Sequence, residues 1–197
     1  MNYDNVPTEW IEDIETDILS VIKMIEMKLY HVSEEANITE FIPRLPTRAD
    51  LNQQVGLVWA LCERTLPNFL TPRNCPRVCY HIGNKTMQDD IVKYMTEGSS
   101  HVVVIEKDWL ERMRKTVLYI YEFDDTDFYL QDESAGYYVS EKKQMPVAVH
   151  KITDCEAELQ KHGVTLKIVD ELWSVADEIK QTTFNWSLCR MAFAKNR

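Results

Sequence analysis

The chain has 197 residues, 45% of them hydrophobic and 27% charged, with a formal net charge of −10 and only five glycines. That length suits one domain with a sizeable core, and the acidic balance argues against a general affinity for nucleic-acid backbones, which requires a basic surface. No run of about 18 apolar residues occurs, so no membrane span is expected. The acidic start MNYDNVPTEWIEDIETDIL also lacks the basic head and apolar stretch of a signal peptide, so the expected location is cytoplasmic.

From the N-terminus, residues 7–27 are predicted to form an amphipathic helix. Pro7 suits a helix start, Thr8 can cap, and Trp10, Ile11, Ile14, Ile18, Val21, Ile22 and Ile25 recur at helical spacing. Such a stripe must be covered, either by the rest of the fold or by the same helix of a second subunit. The expected organisation is therefore a helix over 1–27 packed on a single α+β domain over 28–197. The first strand runs from Lys28 to Val32, and Ser33-Glu34-Glu35 reads as the loop after it. Pro43 and Pro46 make the following stretch, to about residue 55, an ordered loop.

Gly56 to Leu61 reads as a buried strand. Pro67, Pro72 and Pro76 exclude a regular helix until a strand resumes over Arg77–Ile82. A helix is expected within 84–97, ending near Gly98. Strands follow over His101–Ile105, Val117–Phe123, Tyr137–Ser140 and Val147–Ile152. Thr153 or Asp154 can cap a helix that Gly163 stops, Val164–Val169 is a strand, and Asp170 is expected to cap a helix over Glu171–Gln181. Periodicity leaves Phe184–Phe193 open between extended and helical. Short strands with few crossover helices predict an α+β fold and not a doubly wound sheet.

The five cysteines are an odd set. Cys75-x3-Cys79-x-His81 has some zinc-like spacing but no second half, so buried thiols and no metal are expected. GxGxxG, GxxxxGK[ST], GxSxG and HExxH are all missing. What remains is a set of polar groups at strand ends and in proline-rich loops: His31, Ser33, Arg44, Arg48, Arg73 and Arg77, with Trp59 and Tyr80 nearby in sequence. Neutral imidazole offers one donor and one acceptor, which suits a ribose diol. Guanidinium forks suit pyrophosphate, and Trp59 or Tyr80 could stack on a base. The bland rivals are structural hydrogen bonding for His31, ion pairing for the arginines and core packing for Trp59.

"KLYHVSEEANITEFIPRLPTR", "GLVWALCERTLPNFLTPRNCPRVCYH" and the tail "GVTLKIVDELW…FNWSLCRMAFAKN" resemble a family of small bacterial proteins of unknown function over residues 28–197, with the helix at 1–27 an addition. More distantly, a strand ending in Leu-Tyr-His before a polar loop resembles the first motif of the ADP-ribosyltransferase fold, a superfamily that includes RNA 2′-phosphotransferases. That resemblance implies split antiparallel β-sheets with peripheral helices and NAD held between the sheets. It places His31 on the nicotinamide ribose, and Gly56 to Ala60 with Trp59 as the second motif. The acid falls to Glu133, in the literal Q-x-E of Gln131-Asp132-Glu133, or to Glu141. The expected function is an NAD- or nucleotide-binding transferase. The alternatives are a non-catalytic binding domain for a small ligand or a protein, and an RNA 2′-phosphotransferase-like enzyme.

Overall fold

The computed structural model describes residues 27–46, 52–133 and 135–197. The predicted N-terminal helix and Arg48 lie outside the described residues. Those described form ten strands and four short α-helices, a mixed α+β fold with two sheets.

In chain order the strands are β1 (Leu29–Ser33), β2 (Val58–Cys62), β3 (Arg77–His81), β4 (His101–Glu106), β5 (Leu118–Phe123), β6 (Tyr129–Asp132), β7 (Tyr137–Ser140), β8 (Ala148–Ile152), β9 (Val164–Val169) and β10 (Asn185–Cys189). The helices are α1 (Gln88–Tyr94), α2 (Leu110–Lys115), α3 (Cys155–Lys161) and α4 (Trp173–Ile179). The first sheet has the order β6-β7-β2-β1-β5-β8, with every neighbouring pair antiparallel. The second has the order β10-β3-β4-β9, antiparallel except for the parallel pair β4–β9.

Burial explains why β3 and β4 read as nearly continuous apolar runs. Cys79, Val103 and Ile105 face the first sheet's Leu118, Ile120 and Ile152 in one core cluster. Their neighbours Val78, Tyr80, Val102 and Val104 point the other way, under Leu172, Ala176 and Ile179 at the start and along α4. A strand covered on both faces loses the polar alternation that a half-exposed strand keeps. The outer face of the first sheet carries a smaller cluster, Leu29, Ala60, Tyr121 and Phe123, against which Ile38 and Phe41 of the loop after β1 pack.

Local chemistry sets several boundaries. The Asp154 carboxylate accepts from Ala157 N at 2.9 Å, which caps α3 as expected. Asp170 does not cap α4; Glu171 does, accepting from the backbone N–H groups of Trp173 and Ser174. The helix expected within 84–97 is confined to Gln88–Tyr94. The undecided tail is extended over Asn185–Cys189, because β3 offers it a free edge to pair with. Strand β6 escapes a pattern reading because all four of its residues are exposed. Gly136 (φ +62°) must be glycine, since a Cβ there would stand 2.5 Å from Cys62 Sγ and 2.7 Å from Thr65 Oγ1.

Candidate functional site

The site begins where two strands part. The β1–β2 ladder holds only the pairs Leu29↔Cys62 and Tyr30↔Leu61, whereas β1 stays paired with β5 through Ser33. Beyond Tyr30 the strands splay, and His31 replaces the missing backbone bond with its side chain. Its Nδ1 lies 3.0 Å from the Trp59 carbonyl oxygen. A carbonyl only accepts, so Nδ1 carries the proton and Nε2 presents a lone pair when the ring is neutral. Burial pushes the His31 pKa below its ordinary value, and the nearby Arg44 cation adds to that, against a smaller opposite effect of the Trp59 bond. The ring leans on Phe41, with centroids 4.9 Å apart.

Below this split opens a cavity of about 770 Å³. It runs from β1 and β2 of the first sheet to Arg77 of β3 and Arg190 just after β10 of the second. Its wall is the loop after β1, which backbone bridges at Phe41–Gln144 and Arg44–Leu57 and the Tyr121 hydroxyl hold in place. Tyr121 Oη donates to Glu35 O at 2.7 Å and accepts from Ile38 N at 3.1 Å. Across the mouth, Arg73 N donates to Glu34 Oε1 at 2.6 Å, tying this loop to the proline-rich segment that follows Phe69.

His31, Ser33, Arg44, Trp59, Arg73 and Arg77 all line this cavity. Ser33 Oγ is engaged locally, accepting from Glu35 N at 3.0 Å. Trp59 presents an edge to Tyr137 at 5.7 Å between centroids. Tyr80 is elsewhere, buried under α4 with its hydroxyl on Tyr94 O. The two expected acids are not brought in. Glu133 is exposed and offers its backbone oxygen to Arg64, and Glu141 is exposed with Tyr129 Oη on its carboxylate at 3.2 Å; neither lines the cavity. Glu133 follows β6, an edge strand three places from β1, and Glu141 follows β7, two places from β1, where it accepts from Tyr129 of β6. The acids that do line the cavity are Glu34, Glu35 and Glu40, the last paired with Lys143 at 3.1 Å.

Arg190 is the residue that sequence reasoning missed. It adopts a left-handed backbone (φ 55°), a conformation uncommon for a side chain of this size and one that tends to mark functional positions. Among the described residues, no carboxylate stands within 4.0 Å of the guanidinium groups of Arg44, Arg73, Arg77 or Arg190. In a chain of net charge −10, these four cations and the three acids Glu34, Glu35 and Glu40 leave the described lining formally positive by one charge.

Cys75, Cys79 and Cys155 are buried, and all five cysteines are free thiols. Burial pushes Cys75 up to about 12 and Cys155 up to about 11. Among the described residues no group of three or more His, Cys, Asp or Glu side chains could hold a metal ion, and no helix is long and apolar enough to cross a membrane.

No curated protein and no solved structure matches this chain. Residues 30–194 match the model of a family described as "Family of unknown function (DUF6886)". That span takes in both sheets and the whole cavity, and the chain belongs to this family.

Proposed function

We propose that the cleft between the two sheets binds a phosphate-bearing small ligand of the nucleotide class. The observation that carries this reading is one cavity gathering the His31 imidazole with the guanidinium groups of Arg44, Arg73, Arg77 and Arg190, which have no carboxylate partners among the described residues. Guanidinium forks match phosphate oxygens, and the His31 Nε2 lone pair accepts from a ribose hydroxyl. A cavity of about 770 Å³ is of the size that takes such a ligand. The split between β1 and β2, with a histidine at the parting, supports the resemblance to the ADP-ribosyltransferase arrangement and makes NAD the first ligand to try.

Transfer chemistry asks for more. A glycosidic cleavage needs a carboxylate near the developing oxocarbenium ion, and Glu133 and Glu141 stand outside the cavity. Among the described residues, Glu34 and Glu35 are the acids that line the cavity without a cation partner, so an ADP-ribosyltransferase would draw on one of these. An RNA 2′-phosphotransferase would use the arginines with a 2′-phosphorylated end. The binding reading needs neither step.

Calorimetric titration of the whole chain with NAD, ADP-ribose, ADP and a 2′-phosphorylated dinucleotide tests this. A native-state ligand raises the melting temperature and gives a binding isotherm. If all four leave both unchanged, the nucleotide reading fails. Release of nicotinamide from NAD with the ADP-ribosyl group recovered on an acceptor other than water, both abolished by substitution of Glu34 or Glu35, would make the protein a transferase.

A further inference from the structure

The floor of the cavity holds two polar groups that the fold leaves incomplete. Arg77 is 4% exposed. Its Nε donates to Asn68 O and its Nη1 to Cys75 O at 2.8 Å. The Phe69 ring covers one face, 5.0 Å from the guanidinium carbon to the centroid. With two of five donors engaged, three remain. The buried carboxylate on the neighbouring strand, Glu106, is held instead by Lys195 N at 3.1 and 3.3 Å. Thr71, 4% exposed, lines the same cavity as Arg77. Its Oγ1 is buried and has no hydrogen-bond partner, the only such side-chain atom among the described residues.

Burying a cation without an anion is costly, and so is burying a hydroxyl without a partner. Both occur here, among the residues that line one cavity. We infer that this floor is a subsite for a terminal phosphoryl group, which accepts from the free edge of the Arg77 guanidinium and from the Thr71 hydroxyl. The inference rests on the reading of the cleft as a site for a phosphate-bearing ligand and gives that ligand a direction. Two main-chain carbonyls occupy two of the guanidinium's donors and the Phe69 ring covers one face, which leaves a ligand fewer directions of approach than an open arginine offers. An end group can dock that way, whereas an internal diphosphate needs room on two sides. A phosphoryl end has three oxygens, enough for the guanidinium fork, the hydroxyl and a rim cation (Arg73 or Arg190) together; a carboxylate has two. The sugar and base then extend toward His31 and Trp59.

The test compares inorganic phosphate, AMP, adenosine and NAD on the whole chain, by thermal shift and calorimetry, in wild type and in Thr71→Val and Thr71→Ser. Phosphate and AMP are expected to raise the melting temperature, and adenosine to leave it unchanged. Thr71→Val keeps the side-chain shape and removes an unpaired hydroxyl, so the ligand-free melting temperature should hold or rise while AMP affinity falls about tenfold. Thr71→Ser should restore the affinity. If Thr71→Val lowers the ligand-free melting temperature and leaves AMP affinity untouched, the subsite is overturned. If AMP binds with no dependence on Thr71, the subsite is overturned and the nucleotide reading stands; NAD, whose phosphates are both internal, is expected to bind without that dependence. If phosphate alone binds, and Thr71→Val weakens it, the subsite stands and the nucleotide reading fails.

Discussion

The His31 cleft and the smaller recess around His81 and His101 use the same residue types to opposite ends. The second recess, about 280 Å³, is lined by Glu63, Arg64, His81, His101 and His162. Its imidazoles have protein partners. His81 Nε2 accepts from Arg64 and lies 3.4 Å from Asn185 Nδ2. His101 Nε2 lies 2.7 Å from Asn68 Oδ1, and His162 Nε2 lies 3.3 Å from Glu158. Arg64 also donates to Glu133 O at 2.8 Å. In the cleft the cations have no carboxylate partners among the described residues, and His31 keeps its Nε2 lone pair. Three histidines and an arginine in one recess therefore say little about ligands; the difference lies in whether their hydrogen-bonding capacity is already used within the fold.

Acid should separate the two regions most strongly. Burial holds His81 down at about 4 and His101 at about 3. The Arg64 cation adds to both, and His81 and His162 add further for His101. Because these values lie below the ordinary 6.5, the unfolded chain takes up protons that the folded imidazoles refuse. Stability is complete above about pH 6.5 and is lost progressively as pH falls from there toward 3, by on the order of a few kcal/mol. Urea unfolding at pH 7 and pH 4 checks the sign, and His81→Gln should flatten the slope between them. A slope unchanged by that substitution would show that the recess does not exclude protons.

Tyr121→Phe removes the hydroxyl that holds the cleft wall and leaves Glu35 O and Ile38 N without their partner. The expected loss is about 1–3 kcal/mol, with weaker binding of whatever ligand the cleft takes. Retained binding at reduced stability would show that the wall does not depend on this anchor.

Asn68 joins the regions, its side chain on His101 and its carbonyl on Arg77. Asn68→Ala leaves His101 Nε2–H unpaired in a buried site, at a cost of about 1–3 kcal/mol, while the main-chain bond to Arg77 is retained. Stability should fall with phosphate affinity unchanged.

The smallest effect contrasts two arginines. Arg44→Met removes a cation without a carboxylate partner and should change stability by no more than about 0.5 kcal/mol, yet weaken ligand binding. Arg64→Met, which breaks bonds to His81 and Glu133 O, should lower stability by about 1 kcal/mol and spare binding. Reversed outcomes would exchange the roles of the two recesses.

Much of this contrast was legible residue by residue. The apolar runs of β2, β3 and β4 follow from burial on one or both faces, and Asp154 and Gly163 bracket α3 through short-range chemistry that operates within a few residues. His31, Ser33, Arg44, Trp59, Arg73 and Arg77 stand out because strand ends and proline-stiffened loops hold polar groups without burying them in a ladder. Short-range logic fails where the partner is remote. Arg190 reaches the cavity only because β10 pairs with β3 across more than a hundred positions, and β6 shows no pattern because none of its residues is buried.

What the sequence by itself determined is the α+β class, the central strands, the chemical types available for a site and the absence of a phosphate-loop motif. Only the tertiary structure decided which of those residues meet. It joined β1 to β2 for two pairs and then parted them, brought Arg190 and Thr71 to the cavity, and left Glu133 and Glu141 at an exposed edge. The physical reason is range. Periodicity and caps report interactions among neighbours in the chain, whereas a site is made by strand register and sheet packing between segments separated by up to 159 positions, as His31 and Arg190 are (190 − 31 = 159).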